Sequence, residues 1–330
     1  MIPKILITNA AKEVGFDMVG VVPAVALEEE SQRFEEWLCK GHHSTLSYLE
    51  RNREKRFDAS KLVEGARSVV VCGVAYLSEF SRGYPEGWQT KIASYALNRD
   101  YHLTIKQMLA ALAERLKVHA PQLKYRAFTD SAPLAEKSYA RRAGLGWIGR
   151  NSLLVTPEYG SFILLGELVI DEDVDEYDTP KEFVGCGECR RCIEACSNGA
   201  ISEGRYIDTR RCISCRTIEP MAEGGAIYLD GWIFGCDACQ SVCPYNQRAK
   251  LHTNPNFTPI VDPISLDCDA WQCMTEEEFS RLASTTPMTR AGLERIKSNV
   301  KTVVRFAREV YKGDYGDRGD NGVFPRNPRK

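Results

Sequence analysis

The sequence predicts an α/β (α+β) domain, then a compact cysteine-rich module, then a short helical segment. Three observations carry this. Helical and strand hydrophobic periods alternate through residues 1–170, nine of the thirteen cysteines gather between 186 and 243, and helical periodicity returns after 251.

Residues 4–14 read as a helix and 16–22 (FDMVGVV) as a strand. Residues 26–40 place apolar side chains at helical spacing and stop at Gly41. The run RSVVVCGVAYL (67–77) is rich in β-branched residues, the pattern of a strand covered on both faces. Residues 99–120 form a strong amphipathic helix closed by Pro121. KYRAFTD (124–130) is a strand ending on an aspartate. Residues 132–144 read as a helix with Pro133 near its start and Gly144 after its end, and 160–170 as a further strand. The strands are not spaced as in a dinucleotide-binding fold, and LGWIG (145–149) lacks the full G-x-G-x-x-G signature. The acidic stretch 171–182 reads as a linker, 183–250 as the cysteine module, and 251–330 as helical and basic. Its end, 313–330, is rich in Gly, Asp and Pro and is expected to be poorly ordered.

The formal charge of −2 is unevenly spread: from Thr289 to Lys330 there are eleven Lys/Arg and five Asp/Glu, so that stretch is net +6 and the rest about −8. Such a segment suits an anionic partner, although a solvated helix face would show the same charge. The first residues carry Lys4, Lys12 and Glu13 within their apolar stretch, with no secretory core and no twin-arginine signal. No uncharged apolar run approaches the roughly 20 residues of a membrane span. The expectation is a cytoplasmic protein without a membrane partner, and in a reducing compartment thirteen cysteines point to metal ligands rather than disulfides.

CGECRRCIEAC (186–196) has the spacing C-x2-C-x2-C-x3-C, in which three thiolates hold one [4Fe–4S] cube and the fourth reaches a second. Cys186, Cys189 and Cys192 then hold cluster 1, and Cys196 crosses to cluster 2. The second run, CDACQSVCP (236–244), is one cysteine short, because Ile233 stands where its first would be. By the same logic Cys243 completes cluster 1, while Cys236 and Cys239 join Cys196. The fourth ligand of cluster 2 is Cys212 or Cys215. A zinc site explains neither the tripled first run nor the C-x3-C ending. Cys39, Cys72, Cys268 and Cys273 lie outside the pattern. Two clusters alone make a ferredoxin-like module, so residues 1–170 must bind whatever the electrons are for.

Several long motifs, in order from about residue 4 to about 310, resemble the epoxyqueuosine reductases: NRDYH (98–102), DSAPLAEKSYARRAGLGWIGRN (130–151), TPEYGSFILLGEL (156–168), FGCDACQSVCPYN (234–246) and TPMTRAGLERIKSNV (286–300). The resemblance implies reduction of epoxyqueuosine to queuosine in the anticodon loop of tRNA, the last step of queuosine synthesis. It implies cobalamin in the N-terminal domain and two [4Fe–4S] clusters, with cluster 2 completed by Cys212. It makes Asp130 the proton donor, a role in which burial or a nearby anion should raise the carboxyl pKa. On the residues alone, Asp130 is also a candidate helix cap. Tyr101, His102, Arg141, Gly146, Trp147, Gly149 and Asn151 are the cofactor-pocket candidates. His102 is not assigned to cobalt, because DYH is similar only to the opening of D-x-H-x-x-G and position 105 is Ile.

Ser197 and Cys215 stand where the family usually has proline and tyrosine. The chain lacks the helical-repeat extension of some members, which leaves tRNA contact to 286–330 and scattered Arg/Lys. A low-potential electron donor of unspecified identity and a monomeric state complete the expectation. The competing readings are a reductive dehalogenase, a plain two-cluster electron carrier and a cobalamin-trafficking protein.

Overall fold

In the computed structural model, which describes residues 1–220 and 227–314, the first half of the chain builds one antiparallel sheet with helices on both faces. In chain order come α1 (Lys4–Val14), β1 (Met18–Pro23), α2 (Glu28–Cys39), α3 (Arg53–Arg56), β2 (Ser68–Ala75), β3 (Lys91–Ile92), α4 (Tyr101–Leu116), β4 (Tyr125–Phe128), α5 (Glu136–Arg142), β5 (Trp147–Ile148), β6 (Leu154–Val155) and β7 (Ile163–Ile170). The main sheet runs β1-β2-β7-β4, every pair antiparallel. All eight residues of β2 are buried, as expected of a β-branched run between two helical layers.

One layer is α1 and α4, whose Ile7, Ala11, Ile105, Leu109 and Leu112 pack on Val70, Cys72 and Leu168. The approach is close: a Cβ on Gly166 would come within 2.4 Å of Ile105 Cγ2. The other layer is α5, where Tyr139 and Ala140 pack with Val69, Val71 and Val169. Alternation along β7 puts Glu167 on this second face, between Val71 and Phe128.

The helix expected over 132–144 starts only at Glu136, with Ala135 at its N-cap and no side-chain cap. Pro133 therefore precedes the helix, and Ala135 N–H donates instead to Arg56 O at 2.8 Å. Asp130 does not cap it; its φ of 55° turns the chain sharply out of β4. The acidic stretch after 170 lies along the sheet domain. Lys4 Nζ pairs with Asp178 at 2.8 Å, and Asp178 Oδ2 accepts the Val21 N–H at 2.9 Å.

The cysteine-rich part is built of short pieces: α6 (Arg191–Glu194), α7 (Ile213–Ile218), β8 (Trp232–Phe234), α8 (Ala238–Ser241) and α9 (Pro244–Arg248). Then follow α10 (Cys268–Cys273), α11 (Glu276–Ala283) and α12 (Gly292–Asp314). Residues 92–97 leave the first half of the chain to join this part. β3 pairs in parallel with β8, and Ile92 and Leu97 share a core with Phe234, Trp271, Met288, Ile296 and Val300. A buried polar network also ties the two halves. Ser161 N–H donates to Asn246 Oδ1 at 2.6 Å, and Asp237 Oδ2 accepts from Ser94 N–H at 2.7 Å and from its hydroxyl at 2.5 Å. Breaking one partner of such a network strands buried polar groups at about 1–3 kcal/mol each. The expectation of disorder for 313–330 falls, from 315 on, outside the described residues. Among the described residues no helix is long and apolar enough to cross a membrane.

Candidate active site

A cavity of about 910 Å3 opens between the sheet domain and the cysteine module. This is at the upper end of the roughly 300–1,000 Å3 typical of small-molecule sites. One wall carries Tyr95, Tyr101 and Asp130, and the facing wall Cys196, Cys212, Cys236 and Cys239.

Asp130 is presented by the turn that ends β4. Its Oδ2 accepts the Tyr101 hydroxyl at 2.7 Å and lies 3.2 Å from His102 Nε2. Both partners come from the first turn of α4, whose cap is Asp100. One oxygen of Asp100 accepts the His102 N–H at 3.0 Å and lies 2.7 Å from His102 Nδ1. The imidazole thus stands between two carboxylates, where both ring nitrogens can donate only as imidazolium. Its pKa is raised, through the Asp130 hydrogen bond first. The Asp130 carboxyl is lowered by the same bond with His102, which outweighs the opposing effect of burial. This corrects the expectation that burial would raise the acid: the His102 hydrogen bond moves the Asp130 carboxyl down instead, in favour of its charged form.

Behind Asp130 lies a second pair of acids. Glu136 Oε1 accepts the Asp130 backbone N–H. Glu167 is fully buried, and neither of its carboxyl oxygens finds a donor among the described residues. Its neighbour is the Glu136 carboxyl, to which it can bond only if one of the two holds a proton. Burial, followed by the charges of neighbouring carboxylates, pushes both well above the ordinary carboxyl range. Sequence reasoning missed this pair. The available signal was one charged residue inside the apolar strand FILLGELVI.

Of the pocket candidates, Tyr101, Arg141, Trp147 and Asn151 line the cavity; His102, Gly146 and Gly149 are not among its wall residues. Arg141 pairs with Glu30 at 3.1 Å. Gly146 and Gly149 serve the β5–β6 hairpin, since a Cβ at Gly146 would meet Val155 O at 2.2 Å and one at Gly149 would meet Asn151 Oδ1 at 2.8 Å. Trp147 packs on Tyr245 with ring centroids 4.7 Å apart.

The cysteines gather in two sets. Burial pushes the Cys192 thiol up to about 11, helped by Cys186, Cys243 and Cys189 around it. Cys239 is raised by burial and then by neighbours that include Cys212 and Cys196, and Cys236 has Cys239 and Cys212 beside it. Cys215 faces Cys212, Glu219 and Arg216 and is absent from the cavity wall.

Residues 56–131 match a family described as epoxyqueuosine reductase QueG, DUF1730, and residues 185–246 match a 4Fe-4S double cluster binding domain. The epoxyqueuosine reductase of Cyclobacterium marinum is 38% identical over 301 residues, 90% of this chain and 96% of its own. That of Escherichia coli is 34% identical over 297 residues, 87% and 77% of the two chains. A crystal structure of epoxyqueuosine reductase with a tRNA-Tyr epoxyqueuosine-modified tRNA stem loop overlays with a TM-score of 0.82 at 26% identity, covering 91% of this chain and 80% of that one. A Bacillus subtilis epoxyqueuosine reductase, with its aspartate catalytic loop swung out of the active site, overlays at 0.79 with 25% identity, again over 91% and 80%. Fold and site together define an iron–sulfur oxidoreductase with mixed α/β architecture. More narrowly, the chain belongs to the epoxyqueuosine reductase family.

Proposed function

We propose that this enzyme reduces epoxyqueuosine to queuosine in the anticodon loop of tRNA, with Asp130 delivering the proton and two [4Fe–4S] clusters delivering the electrons. The observation that carries the reading is the cavity itself: a hydrogen-bonded acid on one wall, the Cys196, Cys212, Cys236 and Cys239 set on the other. Going from epoxide to alkene and water takes two electrons and two protons. Both carbon–oxygen bonds break, and the oxygen leaves as water.

In this reading residues 1–170 form the catalytic domain, 171–182 a linker and 183–250 the two-cluster module. Residues 251–330 form a helical, basic segment. Cys186, Cys189, Cys192 and Cys243 hold cluster 1; Cys196, Cys212, Cys236 and Cys239 hold cluster 2, nearer the cavity. Clusters of this type reach potentials as low as roughly −700 mV.

The cavity's donors suit cobalamin, a large ring edged with amides. Arg56 Nε and Trp147 Nε1 are buried, line the cavity and lack a hydrogen-bond partner among the described residues. When bound, cobalamin supplies a low-potential metal centre that collects the reducing equivalents. The chain's own part is acid catalysis. His102, standing between Asp100 and Asp130, supplies a proton to Asp130 Oδ2, which passes it to the epoxide oxygen as the ring opens, while Tyr101 fixes the carboxylate's orientation. Lys301, Arg305 and Arg308 of α12 line a groove of about 490 Å3 that suits tRNA phosphates. In the Bacillus subtilis relative an aspartate catalytic loop is found swung out of the active site, which supports an aspartate-bearing loop as the working part here.

The test uses anaerobically prepared protein with full iron and cobalamin, a low-potential reductant and tRNA carrying epoxyqueuosine, followed by nucleoside mass spectrometry. Queuosine should appear. No conversion by fully loaded enzyme would overturn the reading.

A further inference from the structure

Asp130 sits at φ 55°, in the left-handed region that is uncommon for non-glycine residues although aspartate tolerates it better than most. Two ties hold it. The side chain is held by Tyr101 and His102, as described. The backbone N–H is held by Glu136 Oε1. Glu136, on the helix packed against β7, lies within side-chain hydrogen-bonding reach of Glu167, which is centred in the sheet between Val71 and Phe128 and has no donor of its own among the described residues. Two carboxylates in contact inside a protein repel strongly, and one proton between them turns the contact into a strong hydrogen bond.

We propose that Glu136 and Glu167 share one proton and together form a latch that holds the Asp130 loop in its working position. With the proton in place, Glu136 stays on Glu167 and its free oxygen keeps the Asp130 N–H. When the proton is lost, the fully buried Glu167 anion faces the partly buried Glu136 anion, Glu136 leaves, and the loop is released. The proposal rests on Asp130 being the acid only for its catalytic consequence; the latch itself is a property of the fold. Glu136 and Glu167 are positioning residues.

The surroundings set the direction of the pH response. Toward Glu136 face Asp130 from the β4 turn, Tyr101 from α4, Arg56 from α3 and Lys137 from its own helix. Toward Glu167 face Asp130, Cys72 of β2 and Tyr139 of α5. Cys72 and Tyr139 are neutral, both raised by burial. Asp130 disfavours a second negative charge, while Lys137 and Arg56 favour it. Burial dominates for both glutamates, so the latch is closed at neutral pH and opens on the alkaline side.

The test is backbone hydrogen exchange of the loop 129–135 in the holoenzyme from about pH 6 to about pH 9, expressed relative to intrinsic exchange so that base catalysis cancels. Wild-type protection should fall by roughly tenfold per pH unit above the pair's ionisation, as a one-proton opening requires. Glu167→Gln keeps the shape, and its amide donates to Glu136 without needing a proton. Its loop should stay protected throughout, and the part of the alkaline fall in kcat that tracks loop release should disappear with KM unchanged, leaving only the fall set by His102. Glu136→Ala should leave the loop unprotected at every pH, and Glu136→Gln, which still offers a carbonyl to Asp130 N–H, should restore protection. The proposal fails if Glu167→Gln follows the wild-type pH profile, or if Glu136→Ala retains protection. Asp130→Asn separates the two readings. Normal loop protection with wild-type turnover would remove Asp130 as the acid and leave the latch standing.

Discussion

At the scale of single residues, the site depends on where its protons rest. Asp130→Asn keeps size and hydrogen-bonding shape, and no helix cap is at stake because α5 starts at Glu136. Cluster and cobalamin content should survive, and single-turnover reduction should fall by roughly 10²–10⁴. The Asp130–His102 pair also has a pH signature. Asp130 is depressed in the fold, so its contribution to stability is present above the unfolded carboxyl pKa and lost as pH falls through the folded value. His102 is raised, so its contribution is full below the unfolded imidazole pKa and lost as pH rises through the folded value. His102→Phe should flatten the stability profile at both ends and raise the Asp130 carboxyl, read as denaturation midpoints across pH. An unchanged profile would show that the pair is electrostatically idle. Cys212→Ser should cost about four of the eight irons of two cubes, whereas Cys215→Ser should leave iron content intact. The reverse result would move the ligand.

At the scale of elements, Asp130 is held by two that the sequence separates widely. α4 supplies Tyr101 and His102 from its first turn, and β7 supplies Glu167 from its centre. Their relative position depends on Gly166, the residue beside Glu167, over which α4 passes in contact. Gly166→Ala puts a methyl group into Ile105 and should cost about 1–3 kcal/mol by overpacking. The expected readout is a lower denaturation midpoint with an unchanged denaturant slope. It should also lower turnover more than Ala substitutions on exposed α4 positions such as Leu103, because it tilts the helix that presents His102. If midpoint and turnover both stayed at wild type, the close α4–β7 contact would not be positioning the acid.

At the scale of the whole molecule, the cavity exists because two halves of the chain are joined by the Ser94–Asp237 and Ser161–Asn246 hydrogen bonds and by the β3–β8 pairing. The chain's formal charge of −2 gives no overall attraction to RNA, so binding must come from local basic surface such as the Lys301, Arg305 and Arg308 groove. Affinity for tRNA should fall linearly with the logarithm of salt concentration, and Lys301→Ala should reduce that slope by about one. Binding that ignores salt would exclude a phosphate-held complex.

The local chemistry was legible from the sequence alone. Hydrophobic period revealed β2, α4 and β7 because each buries a full face, and cysteine spacing revealed the iron–sulfur module because thiolates a fixed number of residues apart can reach one cube. The motif around Asp130 singled out that residue, yet the downward shift of its carboxyl was not legible, because it depends on an imidazole 28 residues away in the chain. The same holds for Glu167. In the sequence it is one charge in an apolar strand; only sheet register and the packing of α5 place it under Glu136. Residues 92–97 carried no sign of joining the C-terminal core, since parallel pairing of two short strands leaves no periodic trace. Sequence by itself determined which elements form and which side chains can ligate iron, because those follow from neighbours along the chain. Tertiary structure alone decided which acids stand beside one another and which walls enclose the cavity, because packing, desolvation and charge coupling act through space.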